Sequence, residues 1–204
     1  MSSSNFLINP HPVLVADASV VINLNATGCA RAIMAALPNR WAVTANARAE
    51  LIQGMRNGHN DAGALQGLID ARAIDLVTVG EMGGRVYESL IDGSALRTLD
   101  DGEAATIAYA YEADGIALID ERKAMSLCAS SFPKLPVVST AELLLHEAVI
   151  QALGPEGHIK AVMAALQKAR MRVPPAHIAR LVTVIGEDAA VSCMSLPRAA
   201  RAAV

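Results

Sequence analysis

Aromatic side chains are nearly missing from this sequence, at 3% of 204 residues, while alanine is abundant. So few rings argue against a fold that binds nucleic acid by stacking bases. They point instead to helices packed closely through Ala, Leu, Val and Ile. Cysteine is sparse as well: Cys29, Cys128 and Cys193 are widely spaced and odd in number. That usage suits a reducing compartment, matches no zinc-ligand spacing and reads as core thiols. No stretch approaches the uninterrupted apolar length of a membrane span, and no basic region leads into a long apolar core at the N-terminus. A soluble, cytoplasmic protein with no membrane partner is expected. The net charge of −3 makes no global electrostatic case for or against a polyanionic partner, so the position of charges has to decide. Histidine offers no competing site: His11 lies in the leader, His59 in a polar loop, and His146, His158 and His177 on separate helices. Gly83-Gly84 and the G-P-E-G turn at 154–157 make neither a P-loop nor a dinucleotide fingerprint.

What is present is an apolar fraction of 53%, enough for one substantial core. The stretch Val13 to Leu24, V-L-V-A-D-A-S-V-V-I-N-L, organises it. Its continuous apolar run reads as a buried parallel strand that delivers Asp17 to the rim of a sheet. Ile116 to Ile119, ending in Asp120, repeats that grammar. Further strands are expected at 41–43, 74–79 and 135–138, alternating with helices. Such alternation of short apolar strands and helices predicts an α/β fold of three layers, α/β/α, with a mostly parallel central sheet and extra C-terminal helices. Residues 1–12, polar with two prolines, read as a disordered leader and 13–153 as the main domain. Residues 154–186 read as a helical extension packed on that domain, opened by Gly154 and Pro155. The Ala-, Arg- and Ser-rich residues 187–204 read as a frayed basic tail.

Parallel sheets place their sites beyond the carboxyl ends of the strands, where Asp17 and Asp120 both emerge. Glu103 starts the helix that leads back into the second of these strands, so its first turn shares their edge. Glu50 lies about two turns inside the helix after the second strand, in unusually apolar surroundings for a carboxylate. Each acid alone has an ordinary reading as a cap or a favourable first-turn charge; repetition of the strand-then-Asp pattern favours a site. Carboxylates that converge without a basic partner repel, and a divalent cation resolves the repulsion. Oxygen ligands of this kind suit Mg2+ or Mn2+ rather than zinc.

The set V-A-D-A-S-V-V-I-N-L at Asp17, A-R-A-E-L at Glu50, L-D-D-G-E-A at Glu103, A-L-I-D-E-R at Asp120 and P-V-V-S-T-A-E-L-L-L at Ser139 and Thr140 resembles a PIN domain. It is most similar to the branch with an L-D-x-G-E-A sequence and a D-E-R after the fourth strand. The resemblance runs in order from about Val13 to about Leu153. It implies a small metal-dependent ribonuclease, often homodimeric and commonly the toxin of a toxin–antitoxin pair. Its catalytic, metal-binding acids would fall on Asp17, Glu50, Glu103 and Asp120, with Glu121 as an extra or substitute ligand. Ser19, Asn23, Ser139 and Thr140 match supporting polar positions. The chain departs from the compact toxins in its extra length, and A-N-A-R-A before Glu50 leaves that acid the least secure of the four.

A nuclease also needs cations for the phosphate backbone. Candidates are Arg48, Arg122 and Lys123 beside the acids, and Lys168, Arg170 and Arg172 in the basic C-terminal segment. The leading expectation is therefore a metal-dependent endoribonuclease acting on RNA. Alternatives are a non-catalytic protein or RNA interaction module, and a metal-dependent DNA nuclease or phosphatase.

Overall fold

In the computed structural model, which describes residues 7, 9, 12–55, 58, 60–92 and 98–201, strands and helices alternate as expected. The order is β1 (Leu14–Ala16), α1 (Ala18–Thr27), α2 (Ala30–Ala35), β2 (Trp41–Thr44), α3 (Ala45–Met55), α4 (Asp61–Asp70), β3 (Asp75–Val77) and α5 (Glu81–Ile91). Then follow α6 (Asp101–Glu112), β4 (Ile116–Leu118), α7 (Arg122–Ser131), β5 (Val137–Val138), α8 (Thr140–Leu144) and α9 (Glu147–Lys168). The last three are α10 (Pro175–Ile185), α11 (Glu187–Val191) and α12 (Arg198–Arg201). All strand pairings are parallel, in the order β3-β2-β1-β4-β5.

Strand β1 is flanked on both sides, with Ala16 opposite Val43 of β2 and Leu118 of β4. Successive residues face opposite layers, so Leu14, Ala16 and Leu118 join one apolar cluster while Val15, Ala117 and Ile119 join the other. The first cluster recruits α1, α2, α4, α9 and α10; the second recruits α6 and α7. This is the three-layer α/β/α arrangement that the alternation implied. Cys128 and Cys193 are buried, as core thiols, while Cys29 is half-buried.

Local signals behave as their chemistry requires. Thr44 Oγ1 accepts from Ala47 N at the start of α3, Asp100 from Glu103 N at the start of α6, and Ser139 Oγ from Glu142 N at the start of α8. Helix α9 is broken at Gly154, whose φ of 65° lies in the left-handed region that glycine enters without a steric penalty. Pro155 restarts the helix, a position where its missing N–H costs nothing.

The chain ends differ from expectation. Of the proposed leader, residues 1–6, 8, 10 and 11 lie outside the described residues. Leu7 is buried in the first cluster, and the Asn9 carbonyl accepts a 2.7 Å hydrogen bond from Asn39 Nδ2. The expectation of a frayed tail is corrected for 187–201: α11 and α12 form, and Ala190, Cys193 and Leu196 are buried against the main core. Three apolar side chains are enough to anchor a segment whose composition alone reads as polar. No described helix is long and apolar enough to cross a membrane.

Candidate active site

Each crossover carries the chain back antiparallel to the strands, so the ends of β1 and β4 and the starts of α1, α6 and α8 lie at one edge of the parallel sheet. A cleft of about 910 Å3 opens at this edge. Asp17, Glu50, Asp100, Glu103 and Asp120 line it, together with Lys168 at the end of α9 and Arg170 and Arg172 in the connection that follows. Asp17, Glu103 and Asp120 are only 4%, 7% and 5% exposed, which makes their clustering expensive unless something compensates.

Asp17 follows β1 directly and caps α1. Its Oδ2 accepts from Ser19 Oγ at 2.8 Å and from Ser19 N at 3.2 Å. Its Oδ1 is buried with no hydrogen-bond partner among the described residues. Asp120 is held more completely. Its Oδ1 accepts from Thr140 N at 2.7 Å, and its Oδ2 accepts from Thr140 Oγ1 at 2.5 Å and Asn23 Nδ2 at 2.7 Å. Asn23 thus reaches from α1 to the acid of the neighbouring strand.

Glu50 and Glu103 approach from two helices. Glu50, in α3, takes a 2.6 Å hydrogen bond on Oε1 from Gly102 N in the first turn of α6, one residue before Glu103. Burial, and the charges of Asp100, Asp17 and Asp101, push its carboxyl up to about 7 against the Gly102 N–H, which favours the anion. Glu103 is pushed up to about 7 by burial first, then by Asp100, Asp17 and Glu50. Asp17 is raised by burial, with the Ser19 hydrogen bonds opposing and Asp100 adding to it. Asp120 is raised by burial too, against Thr140, Asn23 and the positive charge of Arg172. Asp17, Glu50 and Glu103 therefore sense acidic charge across the cleft, whereas the charge that acts on Asp120 is that of Arg172.

Several candidates from the sequence sit elsewhere. Arg48 is two residues from Glu50, roughly 200° around the helix, and its guanidinium donates to Gln66 Oε1 of α4 at 3.2 Å. Lys123 donates to the Thr98 carbonyl and lines a separate hollow with Ser89 and Phe132, because α7 carries it away from Asp120. Arg122 is exposed and outside the cleft lining. Ser139 is buried as the cap of α8 and also lies outside the lining. Glu121 does line the cleft, but its carboxylate is ion-paired with Arg172. Asp100 was legible only as a cap, yet its charge acts on Asp17, Glu50 and Glu103 alike. Its signal was its place three residues before Glu103 on the same helical turn.

A divalent cation fits this set. Oxygen donors of like charge converge, and among the described residues one buried carboxylate oxygen has no hydrogen-bond partner and no histidine or cysteine lines the cleft. Among the described residues no group of three or more His, Cys, Asp or Glu side chains forms a ready-made ion cage. An open cleft of this kind suits a hard divalent cation that retains several of its waters and is bound through one or two carboxylates plus substrate phosphate.

No curated protein and no solved structure matches the chain. A family model described as PIN domain matches residues 13–187, from the first strand through the cleft-lining connection and α10. PIN domains are in general nucleases that act on nucleic acids, typically with divalent metal ions. With the motif order, the parallel α/β/α fold and a match over most of its length in agreement, the chain belongs to the PIN domain family.

Proposed function

We propose that the chain is a divalent-metal-dependent endoribonuclease that hydrolyses RNA phosphodiester bonds. The observation that carries this reading is the convergence of Asp17, Glu50, Glu103 and Asp120 on one cleft, where Asp17 keeps a buried, unpartnered oxygen. Asp17 and Glu103 would hold Mg2+ or Mn2+, with Glu50 and Asp120 completing the acidic wall. When bound, the ion makes water more acidic and neutralises charge on the phosphoryl oxygens. The rest is the work of the chain itself. Ser19 fixes the orientation of Asp17, and Asn23 and Thr140 fix that of Asp120. Ser19 acts as a hydrogen-bond donor rather than a nucleophile, since among the described residues no histidine lines the cleft to activate it. Lys168 and Arg170 line the same cleft and would supply positive charge for the phosphate backbone, with Arg172 paired to Glu121 beside them.

The test is cleavage of RNA and of DNA by the purified protein with Mg2+, Mn2+ or EDTA, compared with Asp17→Asn. The expected result is metal-dependent RNA cleavage that Asp17→Asn abolishes while the variant keeps its fold, because it removes one of several repelling charges. Equal cleavage by both proteins, or none with any divalent ion, overturns the assignment. Cleavage of DNA alone would favour the DNA nuclease reading that the same carboxylates support. A toxin role and a homodimer rest on the family resemblance. A short adjacent reading frame whose product blocks cleavage would support the first, and light scattering on the purified chain tests the second.

A further inference from the structure

We propose that α3 grips the first turn of α6 at two adjacent residues, and that Asn46 and Gly102 are positioning residues that hold the Glu50 carboxylate beside Asp17 and Glu103. What Glu50 does there rests on the metal-dependent nuclease reading; the grip itself is geometry. Asn46 and Glu50 stand four apart in α3, so their side chains leave the same face of the helix. Asn46 Nδ2 donates to Asp101 Oδ2 at 3.0 Å, and Gly102 N donates to Glu50 Oε1 at 2.6 Å. Tyr87 of α5 donates to the other oxygen of Asp101. The turn that carries Glu103 is thereby tied to two neighbouring helices.

Gly102 is what permits the approach. A Cβ at that position would lie 2.6 Å from Glu50 Oε1 and 2.8 Å from its Cδ and Oε2, well inside van der Waals contact. Its obstacle is the end of a flexible side chain, not backbone. Alanine, a better helix former than glycine, would therefore leave α6 intact and push the Glu50 carboxylate away. The hydrogen bond and the missing Cβ act together: one draws the carboxylate in and the other leaves room for it.

The experiment compares Mn2+ binding by calorimetry in the wild-type chain, Gly102→Ala, Glu50→Asp, the double variant and Asn46→Ala. Thermal melts in EDTA are measured alongside, with Glu50→Ala added singly and with Gly102→Ala. Gly102→Ala should weaken Mn2+ binding about tenfold or more, the usual range for removing a group that orients a metal ligand. Asn46→Ala should weaken it less, in the same direction. Glu50→Asp, shorter by one methylene, should weaken binding by itself but recover part of the loss in the Gly102→Ala background. In EDTA, any effect of Gly102→Ala on melting that comes through Glu50 should vanish in Glu50→Ala, which removes the atoms that the new Cβ would meet. Gly102→Ala binding like wild type, or a double variant no tighter than Gly102→Ala, overturns the grip and leaves the nuclease reading standing. A wild-type chain that binds no Mn2+ overturns the nuclease reading and, with it, the role of Glu50 toward an ion.

Discussion

Asp17 and Asp120 occupy equivalent places at the ends of adjacent strands, yet they are satisfied very differently. Asp120 has three donors on its two oxygens, while Asp17 has both of its donors on Oδ2 and an orphan at Oδ1. Asp120 is therefore the more rigidly oriented acid, and Thr140 is its main support. Thr140→Val removes the hydroxyl donor but keeps the backbone one. It should cost about 1–3 kcal/mol of stability and weaken Mn2+ binding about tenfold or more, as read by melting and titration. Unchanged Mn2+ affinity would remove Asp120 from the ion's immediate surroundings. Asn23 shows how far residue positions could be read ahead. Four residues after Ser19, it shares that residue's face of α1, but which acid Asn23 meets depends on the β1–β4 register, which no local pattern encodes.

Helix placement explains why Glu50 was hard to secure from sequence. The motif around it is weak, and its neighbours in the chain do not specify that α3 lies against the start of α6. By contrast, α6 announces itself through D-D-G-E, since a capping aspartate and a first-turn glutamate are local chemistry. The C-terminal segment misled for the same reason in reverse. Its alanines and arginines carry no clear period, and only tertiary contacts reveal that Cys193 and Leu196 are core residues. Leu196→Ala should then cost about 2 kcal/mol or more and lower the melting temperature by roughly 4–8 °C. A frayed tail would give no change in a calorimetric scan.

For the molecule as a whole, the acids make stability depend on pH and on metal. Glu50 and Glu103 rise from 4.5 to about 7 on folding, so between those values the folded chain holds protons that the unfolded chain has released. Stability is then greatest at low pH and is lost as the pH rises through about 7. Without metal, the protein should melt higher at pH 5 than at pH 8, and Glu103→Gln should flatten the difference. Mg2+ should restore stability at pH 8 and release protons on binding at pH 6, measurable by calorimetry in two buffers of different ionisation enthalpy. Melting that rises from pH 5 to pH 8 in EDTA would contradict this account of the cleft.

The strand order, with β1 between β2 and β4, also has a meaning in time. Asp17 and Glu50 leave the ribosome before Glu103, Asp120 and residues 168–172. Until β4 emerges and docks beside β1, the two strand-end acids have no way to meet. On the nuclease reading proposed above, a nascent chain that stops short of β4 cannot assemble the site.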